Sequence, residues 1–160
     1  MSMAGAVLQQ IRQWLGGYEQ AMPGSAMPFH QRIESRRHRF YCGDPRDTGT
    51  GPRGFTFKAT GYTLTFEALA EEVAGELSFQ SFSIHLLNVG RVHLFFHKDP
   101  ARANWPDHPE AHIQFDAPED VERAAPFLGW RLPLGEVDLV RCLEYLVARG
   151  RQPASSIGEP

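Results

Sequence analysis

A chain of 160 residues suits one domain built around one sizeable core. With 42% hydrophobic and 22% charged residues its composition is that of an ordinary globular protein, and a net charge of -3 excludes a chain that gathers nucleic acid by bulk charge. Two cysteines, Cys42 and Cys142, exclude a disulfide framework and make no metal pair by spacing, so both are assigned to packing.

The opening MSMAGAVLQQIRQW lacks the basic segment and sustained apolar run of a signal peptide. No stretch approaches a membrane span. The expectation is a soluble, cytoplasmic protein with no membrane partner.

Val7, Leu8, Ile11, Trp14, Leu15 and Tyr18 recur at helical spacing and predict an amphipathic helix from 4 to 20, weakened in its last turn by Gly16-Gly17. Residues 29–41 predict one polar, Arg-rich strand. The run 44–54 predicts a flexible loop from its Asp, Gly and Pro content. Phe55 and Phe57 alternate as in a strand, which resumes at Tyr62 and Leu64 after a Thr60-Gly61 turn. Thr65 then reads as the cap of a short helix with Phe66, Leu69, Ala70 and Val73 on one face and Gly75 at its end. A long strand through 62–70 is the competing reading. Three strands are expected at 77–87, 91–98 and 111–116. A helix is expected from Pro118, with Glu119 and Asp120 in its first turn, and a final helix over 136–149. The segment 150–160 reads as a disordered tail. The sum is one α+β domain, residues 1–149: a single antiparallel sheet of about five or six strands with N-terminal and C-terminal helices packed on one face.

Histidines crowd the stretch from His85 to His112. A two-residue turn at Val89-Gly90 would mix polar and apolar side chains on both faces of the 77–98 hairpin. A three-residue turn at Asn88-Val89-Gly90 sets Phe82 opposite Phe96 and Ile84 opposite Leu94, leaving one face apolar. The other face then carries Ser81, Ser83, His85, Arg91, His93, Phe95 and His97. Strand 111–116 adds His112, Gln114 and Asp116, with His112 near His97 and Asp116 near Arg91. The loop 99–110 brings Asp99, Arg102, Trp105, Asp107 and His108 to one end.

Imidazoles on one face suit acid–base chemistry near neutral pH. RNA cleavage through the 2′-hydroxyl needs a base, an acid and a cation for the charged phosphorane. His97 and His112, then His93, are the acid–base candidates, with Asp99 and His108 beside them. Arg91, Lys98 and Arg102 are candidate phosphate contacts, Trp105 a base-stacking platform, and Arg36 and Arg37 part of a track for the nucleic-acid backbone. The Arg run also reads as a set of salt-bridge donors. No metal is required; the alternative is a zinc-dependent hydrolase holding its ion on His85 with His93, or on His97 with His112. His93 and His97, four apart on a strand and so about 13 Å apart, cannot share an ion. A non-catalytic RNA- or protein-binding module is the remaining reading.

The stretch 84–112 also carries a family resemblance. Strand, turn and strand are followed by a loop containing Asp99, Pro100, Arg102 and Asn104. Trp105-Pro106-Asp107-His108 comes next, and His112 enters a further strand. This is similar to the small TumE-type toxins of bacterial toxin–antitoxin pairs. It spans about thirty of the 160 residues. His97-Lys98-Asp99-Pro100 stands where that family has an aromatic residue followed by Asp-Asn. The resemblance implies a partner antitoxin and a nucleic-acid or nucleotide target, with Asp99, His108 and His112 as the matching positions.

Overall fold

The computed structural model describes residues 2–16, 18–43, 54–88, 93–102, 109–116, 131–133 and 143. Helix α1 spans Met3–Leu15 and is followed by strands β1 (Phe29–Arg32), β2 (Arg37–Cys42), β3 (Phe55–Thr56) and β4 (Thr63–Val73). Strands β5 (Glu76–Leu87), β6 (His93–Lys98), β7 (Ala111–Asp116) and β8 (Arg131–Pro133) complete the described elements. All pairings are antiparallel, in the order β1-β2-β4-β5-β6-β7-β8, and the short β3 also pairs with β4. The single antiparallel sheet is therefore larger than the five or six strands expected.

The N-terminal helix ends earlier than its apolar spacing suggests. Ser2 caps it by accepting a hydrogen bond from the Gly5 amide, and Gly16 closes it in a left-handed conformation that favours glycine. Residues 18–20 form a separate 3-10 turn. Ile11 and Leu15 are fully buried in the core, contributing ~1.5–3 kcal/mol each by area burial.

Two sequence expectations are corrected. The predicted strand 29–41 is a hairpin, with β1 and β2 turning at 33–36; Arg32 donates to the carbonyls of Glu34 and Ser35 and so closes the turn. The predicted helix from Thr65 is the long central strand β4. Leu64, Phe66, Ala68 and Ala70 alternate inward and are all buried, a period of two that a helix cannot present to one face. Neighbours on both sides satisfy the β4 backbone, and this pairing overrides the helix preference of its Ala-Leu-Ala-Glu-Glu end.

Strand β5 contains a change of phase. Phe82, Ile84 and Leu86 point inward, as do Leu77 and Phe79 on the opposite parity. A bulge reconciles them: Leu69 pairs with Ser81 but Ala70 pairs with Phe79, leaving Gln80 as the extra residue. Phe79 thereby packs against Phe40, with ring centroids 5.7 Å apart. The core thus lies between α1 and one face of the sheet, with Leu143 also buried in it. The expected helices from Pro118 and over 136–149 lie outside the described residues apart from Leu143, as does the tail 150–160. Among the described residues no helix is long and apolar enough to cross a membrane.

Candidate functional site

The register of β5 against β6 decides which side chains share the second face. Ile84 stands opposite Phe96, His85 opposite Phe95 and Leu86 opposite Leu94. This is two residues from the register expected from a three-residue turn at Asn88-Val89-Gly90. A shift of two preserves every side chain's face, whereas a shift of one would have reversed them. Ser83, His85, His93, Phe95 and His97 therefore share the face away from α1. His112 joins them directly opposite His97, as the sequence expectation had it. Asp116 stands opposite His93 in register.

Three of these imidazoles form a continuous hydrogen-bonded row. Ser83 Oγ lies 2.9 Å from His85 Nε2, which lies 3.0 Å from His97 Nε2. His97 Nδ1 lies 3.3 Å from His112 Nε2, and His112 Nδ1 lies 3.0 Å from the Pro109 carbonyl oxygen. Phe95 forms the floor between strands: its ring meets His85 edge-on at 4.5 Å and stacks with His97 at 6.0 Å. His93 stands apart from the row, donating through Nε2 to the Asn88 carbonyl at 3.1 Å.

The carbonyl at the end fixes the direction of the row. A carbonyl can only accept, so His112 Nδ1 carries a proton. In a neutral ring its Nε2 is then an acceptor, so His97 Nδ1 donates to it. His97 Nε2 is in turn an acceptor, and His85 Nε2 donates. One additional proton can sit on any of the three rings without losing a bond, by turning the intervening hydrogen bonds around. A second cannot: two adjacent imidazolium rings would face each other as donors. With the charges on His85 and His112, a neutral His97 would have to accept at both nitrogens. Through these bonds the row has room for one additional proton. His112 is 0% exposed, whereas Ser83, His85 and His97 are half-buried, so the proton is reached from the His85–His97 end.

The same face continues across the sheet. Glu67 stands opposite Ser83, and Tyr41 opposite Glu67. Arg39 donates through Nε to Glu67 Oε1 at 2.9 Å and lies over the Tyr41 ring at 4.7 Å. Glu67 was hidden at the sequence level because its segment read as helix. Thr65, opposite His85, is buried with a hydroxyl that has no hydrogen-bond partner among the described residues.

The chain matches no protein-family model, no curated protein and no solved structure.

Several sequence candidates stand elsewhere. Lys98 is placed on the opposite face: it stands opposite Phe82 and Ala111, and its Nζ donates to the Phe79 carbonyl at 3.0 Å. It is one residue beyond His97, and alternation reverses it. Arg36 lies in the β1–β2 turn, where its carbonyl accepts from the Glu72 amide, and Arg37 pairs with Glu34 at 3.5 Å. By strand spacings Arg37 is roughly 20 Å from His97. Two of the Arg run, Arg37 and Arg39, are salt-bridge donors. Asp99 begins the 99–110 loop and its amide donates to the Glu110 carbonyl at 2.7 Å, closing the loop at its base. Arg91, Trp105 and His108 lie outside the described residues, as does the side chain of Arg102. Among the described residues no three His, Cys, Asp or Glu side chains converge as a metal-binding set.

A second imidazole pair, not considered from the sequence, lies on the core side of the sheet. His30 Nε2 and His38 Nδ1 are 2.9 Å apart, and buried His38 directs Nε2 toward Glu72 Oε2 at 3.6 Å. Burial first, and the neighbouring His38 second, hold the His30 pKa below its ordinary value. Cys42 is packed in the core, its thiol pushed up to about 12 by burial. Cys142 lies outside the described residues.

Proposed function

We propose that this chain is a nucleic-acid-directed hydrolase of the ribonuclease kind, using the histidine row for acid–base chemistry without a metal. One observation carries the reading: three imidazoles joined by hydrogen bonds in a row that ends on a carbonyl. Such a row can take a proton from a substrate hydroxyl at its accessible end and pass the charge inward, keeping every hydrogen bond.

The reading also assigns roles. His85 and His97 are 3.0 Å apart, so no phosphate fits between them and they act as one base. His112 touches no substrate in this reading; it is a positioning residue that holds the His97 ring and its tautomer. The acid is His93, which stands diagonal to His85 across the hairpin on the same face but outside the hydrogen-bonded row. Phe95, between them, supplies an aromatic face for a base. The resemblance to TumE-type toxins implies an antitoxin partner, which is part of this proposal.

A non-catalytic interaction module is the second reading. It is favoured by Arg39, whose charge is committed to Glu67 and Tyr41 rather than left for phosphate. RNA incubation in EDTA separates the two. Hydrolysis predicts cleavage that falls at least tenfold in His97→Ala and His93→Ala. Intact RNA across about pH 5 to 8, the range in which imidazole titrates, removes the hydrolase.

A further inference from the structure

We infer that His30, His38 and Glu72 form a pH-sensitive latch that holds the edge strand β1 against β2, taking up one proton with its contacts kept and opening on the second. Strand β1 stands at the end of the sheet, and among the described residues β2 is its strand partner. His30 reaches His38 diagonally across that pair, Nε2 to Nδ1 at 2.9 Å, with the rings stacked at 5.1 Å. The His30 ring also lies against Phe40, 5.0 Å away, and so covers the core at the edge of the sheet. This cluster is on the other face from the histidine row, and the inference stands apart from the hydrolase reading.

Glu72 sets the arrangement of protons. His38 is 7% exposed, and among the described residues its buried Nε2 has no hydrogen-bond partner. That nitrogen faces Glu72 Oε2, 3.6 Å away. A carboxylate can only accept, so the proton of a neutral His38 belongs on Nε2, and its Nδ1 accepts from His30 Nε2. One added proton fits. His38 then keeps an N–H toward Glu72 and donates from Nδ1 to His30, which carries its own proton on Nδ1. A second proton does not fit. The two rings would face each other as donors across 2.9 Å, with like charges in stacked rings. Opening the latch separates them and lets both imidazoles reach water.

The other charged groups near the pair are cations or point elsewhere. Arg12, the one charged residue of α1, donates to the Pro28 carbonyl at 2.9 Å. Arg32 of β1 donates to the carbonyls of Glu34 and Ser35, and Lys98 of β6 lies beyond Phe79 with Nζ on its carbonyl. Arg36 is exposed in the turn, Glu34 pairs with Arg37, and alternation turns Glu71 and Glu76 to the opposite face. Burial, and then His38, hold the His30 pKa below its ordinary value, so the closed latch resists a proton that the open one accepts. The latch is therefore closed above about pH 6.5, the ordinary imidazole value, and loosens as pH falls through it. Strand β1 also carries Phe29, stacked on Tyr41 at 5.9 Å on the face that bears Arg39 and Glu67. Release of the strand uncovers the Tyr41 ring there.

Amide hydrogen exchange on the full chain, followed by NMR at about pH 7.5 and about pH 5.5, tests the latch. Each rate is divided by the intrinsic rate at that pH, so that only opening is compared. Protection of the Ile33 amide, which donates to the Arg37 carbonyl, and of the β1 amides bonded to β2 should fall at the lower pH severalfold more than that of the β4 and β5 amides. In His30→Gln, whose side-chain amide can still donate to His38 but takes up no proton, that difference should vanish. In Glu72→Gln the one accommodated proton loses its counter-charge, so the fall should be larger. Circular dichroism checks the folding of each variant, and His30→Leu serves if His30→Gln fails to fold. No fall in β1, a fall shared equally by β4 and β5, an equal fall in His30→Gln, or one no larger in Glu72→Gln would overturn the latch.

Discussion

His30 shows how a single side chain couples burial to pH. Its pKa is held down in the folded protein, first by burial and then by His38. The unfolded chain therefore takes up a proton on this ring near the ordinary value of about 6.5, before the folded chain does. Stability contributed here is present above that value, declines as pH falls through it, and levels off below the folded pKa. The midpoint of urea unfolding should drop between about pH 7.5 and about pH 5.5, on either side of that value, and drop less in His30→Gln. Gly54 makes a sharper steric case. A Cβ there would lie 2.3 Å from the Leu64 carbonyl oxygen and 2.7 Å from Thr65 Cγ2. Backbone cannot yield as a flexible side chain can, so Gly54→Ala should destabilise by about 1–3 kcal/mol or more in equilibrium unfolding. Neither residue announces itself in the sequence. His30 sits in a run that reads as a solvated Arg strand, and Gly54 in a run that reads as a loop.

At the level of elements, the bulge in β5 lets one strand present two apolar phases to one core. Deleting Gln80 should turn the bulge into regular pairing with Leu77 and Phe79 still inward and leave unfolding cooperative, whereas deleting Gln80 together with Ser81 should turn Leu77 and Phe79 to the opposite face and lower the unfolding midpoint. The same strand shows what could be read in advance. Alternation over Phe82 to Leu86 and Leu94 to Phe96 identified the hairpin, both faces and the His97–His112 pairing. It could not choose between registers two residues apart, because both place the same side chains inward. That residual freedom decided whether His85 meets His93 or His97. Thr63–Val73 was harder for another reason: Phe66, Leu69, Ala70 and Val73 fit a helical stripe, while Leu64, Phe66, Ala68 and Ala70 fit a strand. Local spacing supports both, and pairing with β2 and β5 decides. Glu67 and Thr65 were lost from the candidate face with that choice.

Across the whole molecule, the sheet separates two imidazole groups by its thickness. His30 and His38 lie on the side packed by α1, and His85, His97 and His112 on the other. Charge is organised in the same way, with Lys98 turned to the core side and Arg39 locked to Glu67 beside the row. The functional account rests on the row being one connected, directed proton carrier rather than three separate imidazoles. Long-range nitrogen–proton NMR correlation on protein labelled with nitrogen-15 histidine reads each ring's tautomer directly. At a pH where all three are neutral, the account predicts His97 and His112 protonated on Nδ1 and His85 on Nε2. On lowering the pH, the three rings should share the uptake of one proton. A proton on Nε2 of His112 or His97 in the neutral state, or three independent uptakes of one proton each, would contradict it.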